Sequence, residues 1–214
     1  MNDDDRKEAT EAAETRQQRF DRQTGEQFET IGRFVQQFEL MVELFRFNIS
    51  ILMSGISQKS QRLLNIMLHH QALTAWPLFE ITRGMAAEIV LDDSNSIEAI
   101  DKTAAQAIFT QMASDVQVLV QKRNHFLHGT WFIGWASPED QDFSKIQLVK
   151  YKTTKDGFAS ETPPADVSEI QRYTDMCKGV GQLSFAVVVA ITLAGGKVAK
   201  NFEKDSSGKW RKSN

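Results

Sequence analysis

Arg123, Asn124 and His128 stand close together in the stretch QKRNHFLHGTW, residues 121–131, and they are side chains that can cut a phosphodiester without a metal. An imidazole can take the proton from a ribose 2'-hydroxyl or return one to the leaving oxygen. A guanidinium can hold the charge that builds on a five-coordinate phosphate, and its fork of donors suits that purpose better than an ammonium. Asn124 lies four residues before His128, close enough on a helix for its amide to orient the imidazole or to donate to a phosphate oxygen. Arg123 and His128 are five apart, about 140° around an ideal helix. Two such groups from one chain need not converge, whereas a composite site across a dimer would gather them. A plainer account competes with this one: an Arg and a His in the last turn, followed by Gly129, is ordinary helix-end chemistry, in which cations meet unpaired carbonyls.

The elements that position these residues follow from periodicity. Residues 1–24 are almost all polar and are read as a frayed or partly helical arm. Phe28, Ile31, Val35, Phe38, Val42, Phe45, Ile49 and Leu52 then alternate in steps of three and four, which is one helical stripe, widened by Phe34, Met41 and Leu44. A shorter helix is expected from about Lys59 to Ala72 with Leu63, Leu64 and Met67 inward. A third has Pro77 in its first turn and Phe79, Ala86, Ile89 and Val90 on its apolar side, closed by the run DDSNS at 92–96. Ser96 can cap a fourth helix of about thirty residues whose stripe is Ile97, Ile100, Ala104, Ile108, Met112, Val116 and Leu119. Continuing that alternation reaches Arg123 and then Phe126. The guanidinium therefore falls in an inward register, where it needs a carboxylate, carbonyl groups or an anionic ligand. Glu80 is one candidate partner.

Past Gly129 the period changes to two. Trp131, Ile133 and Trp135 share one face of a strand, Ile146 and Leu148 one face of another, and SPEDQD between them supplies turn residues. The two tryptophans are read as hairpin core, with Trp131 also placed to stack on a base. A loop with Asp156-Gly157 and Pro163-Pro164 leads to Asp166, which forms a capping box with Glu169. The last helix carries Ile170, Tyr173, Cys177, Val180, Val187, Ile191, Ala194 and Val198, weakened late by Gly195-Gly196. The expected architecture is all-α: an antiparallel bundle of four to five helices over 25–203, with a small β-hairpin inserted before the last helix and a polar tail over 204–214. The breadth of the first and last stripes favours a homodimer.

In that setting the run Arg123-Asn124-His125-Phe126-Leu127-His128 resembles the signature of the HEPN (higher eukaryotes and prokaryotes nucleotide-binding) domains. That signature is an Arg, a polar residue directly after it, and a His beyond four to six intervening residues near the end of a bundle helix. The sequence RNxxxHG followed by an aromatic is similar to the bacterial branch. The resemblance implies a helical bundle, usually dimeric, with paired motifs facing each other across a two-fold axis. It also implies a metal-independent ribonuclease, in some members a toxin or phage-defence effector restrained by an antitoxin protein; other members show no catalysis. On this reading Arg123, Asn124 and His128 are the catalytic set, and no cofactor and no metal are required. The hairpin lies outside the resemblance. One departure is Thr130, which stands where a variant of the family has a Tyr that a nucleotidyltransferase partner modifies.

Composition narrows the alternatives. With 28 acidic against 25 basic residues, net −3, the chain has no far field that would draw it to nucleic acid, so any RNA contact must be local. Lys145, Lys150, Lys152 and Lys155 lie close together, and Lys209, Arg211 and Lys212 make the tail basic. A single cysteine, Cys177, gives no internal disulfide and no cysteine-rich zinc site, which suits a reducing cytoplasm. MNDDDRKEAT has no apolar core for a secretory signal, and Ser184 to Ala194 is too short to span a bilayer, so no membrane partner is expected. His125, near His128, has no acidic or cysteine neighbours with which to bind a metal, and His69 and His70 point in different directions on a helix. Two functions therefore stand side by side: a dimeric endoribonuclease, and a noncatalytic helical protein whose same residues bind a nucleotide or act as a scaffold.

Overall fold

A computed structural model describes residues 3–53, 66–69, 73–92, 97–128, 130–133, 147–154, 157–161, 166–193 and 196–213. Its helices are α1 (Asp3–Leu52), α2 (Ala75–Leu91), α3 (Ala99–His128), α4 (Val167–Thr192) and a short α5 (Val198–Asn201). The strands are β1 (Thr130–Phe132), β2 (Gln147–Thr154), β3 (Gly157–Glu161), β4 (Phe202–Lys204) and β5 (Trp210–Lys212). The protein is an all-α helical bundle with a small antiparallel β element between its last two long helices. It divides into two compact units, residues 1–35 with 122–174, and residues 36–121 with 175–214.

The larger unit is held by the apolar stripes. Phe38, Met41, Val42, Phe45 and Ile49 of α1 are buried, as are Leu78, Phe79, Ala86 and Val90 of α2 and Ile108, Met112, Val116 and Leu119 of α3. The Phe45 and Phe79 rings meet at 5.6 Å. Helix α4 adds Cys177, Val180, Val187 and Ile191, and burial pushes the Cys177 thiol up to about 12. A Cβ on Gly181 would meet Leu44, Asn48 bonds Ser184 at 2.7 Å, and Phe47 stacks beside Phe185. Since these numbers rise together, α1 and α4 run in the same direction here. The Asn48–Ser184 pair is fully buried, so a sliding of either helix would strand two polar groups. Helix α4 is long and apolar enough to cross a membrane by composition, but 56% of its most apolar window is buried inside the protein, the pattern of a core helix.

Several expected positions shift. In α1 the buried line passes through Gln27, Phe34 and Phe38, while Phe28 is 64% exposed. The stripe is therefore displaced by one residue where polar Thr24, Gln27 and Thr30 replace apolar ones inside. Thr24 and Thr30 manage this by bonding the carbonyls of Phe20 and Glu26, one turn back. Ile100 is exposed, because the first turn of α3 instead buries Asp101. Met67 is exposed and Leu68 buried; Leu63, Leu64, Ser96, Trp135, Ile146 and Ala194 lie outside the described residues. Pro77 sits in the first turn of α2 as expected.

The β element is larger than a hairpin. Strand β1 pairs with β2 (Trp131 opposite Leu148), and β2 pairs further with β3 (Thr154 opposite Gly157), so Gly157, read as part of a loop, opens the second strand of a further antiparallel pair, while Asp156 and Pro163-Pro164 lie outside the described residues. The arm is also more regular than expected, since α1 begins at Asp3. Residues read as a polar tail form the β4–β5 hairpin, anchored by buried Phe202 and turned at Gly208, whose φ of 82° a glycine adopts without strain.

Candidate functional site

The site residues all belong to the smaller unit, at the end of α3. The aromatic cluster beneath them sets the rotation of that helix end. Phe126 is buried and meets Phe34 edge-on at 5.1 Å, Trp131 at 5.5 Å and Tyr173 at 6.3 Å. With Phe126 fixed inward, Arg123 one turn earlier is half-buried and its Nε is shielded from solvent, which agrees with the inward register. His128 falls on the other side of the helix and is exposed. Among the described residues nothing seals off the imidazole, and it is the final residue of α3, beside carbonyls that have no helical partner.

Asn124 does not orient His128, as its spacing suggests. Its Oδ1 accepts a bond from Arg123 Nη1 at 3.4 Å, so the amide holds the guanidinium rather than the imidazole. Arg123 and Asn124 are thus brought together. Glu80, named as a candidate partner for Arg123, pairs with Arg83 on its own helix at 2.8 Å.

Among the described residues Glu169, in the first turn of α4, is a carboxylate that meets the end of α3. Lys122, directly before Arg123, donates to Glu169 Oε1 at 2.9 Å, and the Tyr173 hydroxyl donates to the same oxygen at 3.0 Å. Arg172 in turn donates to the Tyr173 oxygen at 3.0 Å and is itself largely exposed. The Lys122 ammonium and the Arg172 guanidinium each lie 4.9 Å from the centre of the Tyr173 ring. Burial by itself would lower the Lys122 ammonium; its hydrogen bonds to Glu169 and Tyr173 outweigh that and hold it above its usual range.

This network also corrects the capping box. Asp166 caps α4 as expected, its Oδ1 accepting from the backbone N–H of Glu169 at 2.6 Å. Bonds from the Ser168 hydroxyl and that N–H hold the Asp166 carboxyl below its usual range. The Glu169 side chain, however, turns to Lys122 and Tyr173. Sequence spacing does not point to Lys122 and Tyr173 as site neighbours, because their meeting with Glu169 joins two helices, Lys122 and Glu169 being 47 residues apart.

Trp131 ties the helix end together: its indole N–H donates to the Phe126 carbonyl at 2.6 Å, meeting one of the carbonyls that a helix end leaves unpaired. His125 is half-buried with its Nδ1 shielded, and His69 is exposed. Among the described residues no group of three or more His, Cys, Asp or Glu side chains is placed to hold a metal ion. No protein-family model, curated protein or solved structure matches the chain.

Proposed function

We propose that the chain is a metal-independent endoribonuclease of the HEPN kind, with Arg123 and His128 as its working pair. The observation that carries this is the division of exposure at one helix end: His128 open to solvent, Arg123 half-buried and held by the Asn124 amide. His128 moves the proton at the 2'-oxygen or the leaving oxygen, and Arg123 steadies the phosphate. A homodimer would supply two such sets to one opening, and an antitoxin protein would restrain the activity in a toxin or defence setting. RNA is the substrate, met by local rather than far-field charge.

The test is incubation of the purified protein with RNA in EDTA, beside an otherwise identical substrate carrying one 2'-deoxynucleotide at the cleaved position. Cutting of the first to a 2',3'-cyclic phosphate, with the second left intact, supports the proposal. Equal cutting of both removes the 2'-hydroxyl chemistry.

A second reading, a noncatalytic nucleotide-binding or scaffold protein, is favoured by one observation. The Trp131 bond to Phe126 and the Lys122–Glu169 bridge make this helix end a structural junction in its own right. On that reading Arg123→Ala and His128→Ala lose nucleotide by calorimetry, or dimer by light scattering, while the parent leaves RNA intact.

A further inference from the structure

A run of positive charge lies far along the chain from Arg123. Between residues 197 and 214 stand six cations, Lys197, Lys200, Lys204, Lys209, Arg211 and Lys212, against two carboxylates, Glu203 and Asp205, a net of +4. The chain as a whole is −3, so the remaining residues carry −7. All six cations are exposed. Lys209 pairs with Asp115 at 3.2 Å and Arg211 with Glu203 at 2.8 Å, whereas Lys197, Lys200, Lys204 and Lys212 have no carboxylate partner among the described residues.

These charges sit on a built surface rather than a loose tail. The Gln111 side-chain amide clasps the backbone of Trp210, accepting from its N–H at 2.7 Å and donating to its carbonyl at 3.3 Å. Buried Asp101 accepts from the Ala199 N–H at 2.6 Å and so fixes the start of α5. The turn is tied by Asp205 Oδ1, which accepts from the N–H groups of Ser207 and Lys209. Lys204 is directly opposite Trp210, so the two share a face of the hairpin, with the ammonium 5.4 Å from the half-buried indole.

We infer that α5 and the β4–β5 hairpin form a docking surface for single-stranded RNA, separate in sequence from Arg123 and His128. Its partner is assigned on charge and chemistry, and the choice of RNA rests on the nuclease reading above. Four ammonium groups without a carboxylate partner among the described residues suit phosphates, and an indole with a lysine beside it suits a base, since stacking needs no particular base identity. A membrane surface fits less well: the exposed side chains of this hairpin are lysines, arginine, glutamate and serines, with no apolar face to enter a bilayer.

The experiment is fluorescence anisotropy of a labelled single-stranded RNA, titrated at several salt concentrations with wild-type protein and with the triple variant Lys200→Ala, Lys204→Ala, Lys212→Ala. All three positions are exposed, and an unchanged thermal midpoint checks that the variant folds. Wild type should bind with an affinity that falls as salt rises. The variant should bind at least about tenfold more weakly at low salt, with a slope shallower by about two, since each phosphate left without its lysine removes about 0.7 on a single strand. Equal affinity and equal slope would overturn the assignment, as would a loss confined to phosphatidylserine vesicles with RNA binding unchanged. The two readings fail separately. RNA bound through these lysines but left uncut retires the nuclease and keeps the surface; His128-dependent cutting with binding indifferent to the lysines does the reverse.

Discussion

Trp131 and Phe126 are joined twice, by ring contact at 5.5 Å and by the bond from the indole N–H to the Phe126 carbonyl at 2.6 Å. The first residues of β1 thereby close the helix that carries Arg123 and His128. Trp131→Phe keeps most of the ring contact and deletes the donor. It should lower stability by about 1 kcal/mol, the usual net worth of such a bond, read as a shift of the urea midpoint with the slope unchanged. An unshifted midpoint would mean that water replaces the indole at no cost.

The Lys122–Glu169 bridge makes a prediction about alkaline pH. The Lys122 ammonium is held above its ordinary value of 10.5, so its contribution to stability is fully present below that value and is lost as pH rises through the folded-state value above it. Lys122→Met should cost about 1–2 kcal/mol at neutral pH, between a surface and a buried pair, since both side chains are about one-fifth exposed. The difference between the two proteins should then narrow above pH 10.5 in urea titrations. A gap that stays constant to the most alkaline point would show that packing of the lysine stem, not its charge, is what matters.

Gly196 has φ of 76°, and a Cβ there would come within 2.6 Å of Ile97 Cγ1. Gly196→Ala should therefore destabilise by about 1–3 kcal/mol from backbone strain and crowding together. In an Ile97→Ala background the penalty should shrink to the backbone part alone, a coupling that a double-mutant cycle resolves. By contrast Gly208, with φ of 82°, has open space around it, and Gly208→Asn should cost much less because Asn tolerates this conformation. Equal losses at the two positions would contradict the account of Ile97.

The long stripes could be read from sequence because a three-and-four alternation reports burial directly. Ala104, Ile108, Met112, Val116 and Leu119 are all buried, as are Ile170, Tyr173, Cys177, Val180, Val187 and Ile191. That alternation misleads where the interior is polar: at Thr24, Gln27 and Thr30 apolar counting follows exposed Phe28 instead. At the candidate site the inward register of Arg123 and the helix end at His128 were legible, since both depend on local spacing. The partners were not. Glu169 could be seen as a capping residue, but its turn toward Lys122 depends on how two helices meet. The choice of Arg123, rather than His128, by the Asn124 amide depends on side-chain rotamers. The C-terminal hairpin was hidden because its hold on the bundle comes from the amide of Gln111 and from Asp115, polar residues that periodicity does not count.

The central claim is that Arg123 and His128 act chemically on RNA. It is met most directly by the single-turnover rate of cleavage of one oligoribonucleotide in EDTA, for wild type, Arg123→Ala and His128→Ala, with circular dichroism confirming that all three are folded. Wild type should cut, and each variant should be slower by at least about a hundredfold, the low end for loss of a general acid or base. Equal rates in the three proteins, or no cutting by any, would contradict it.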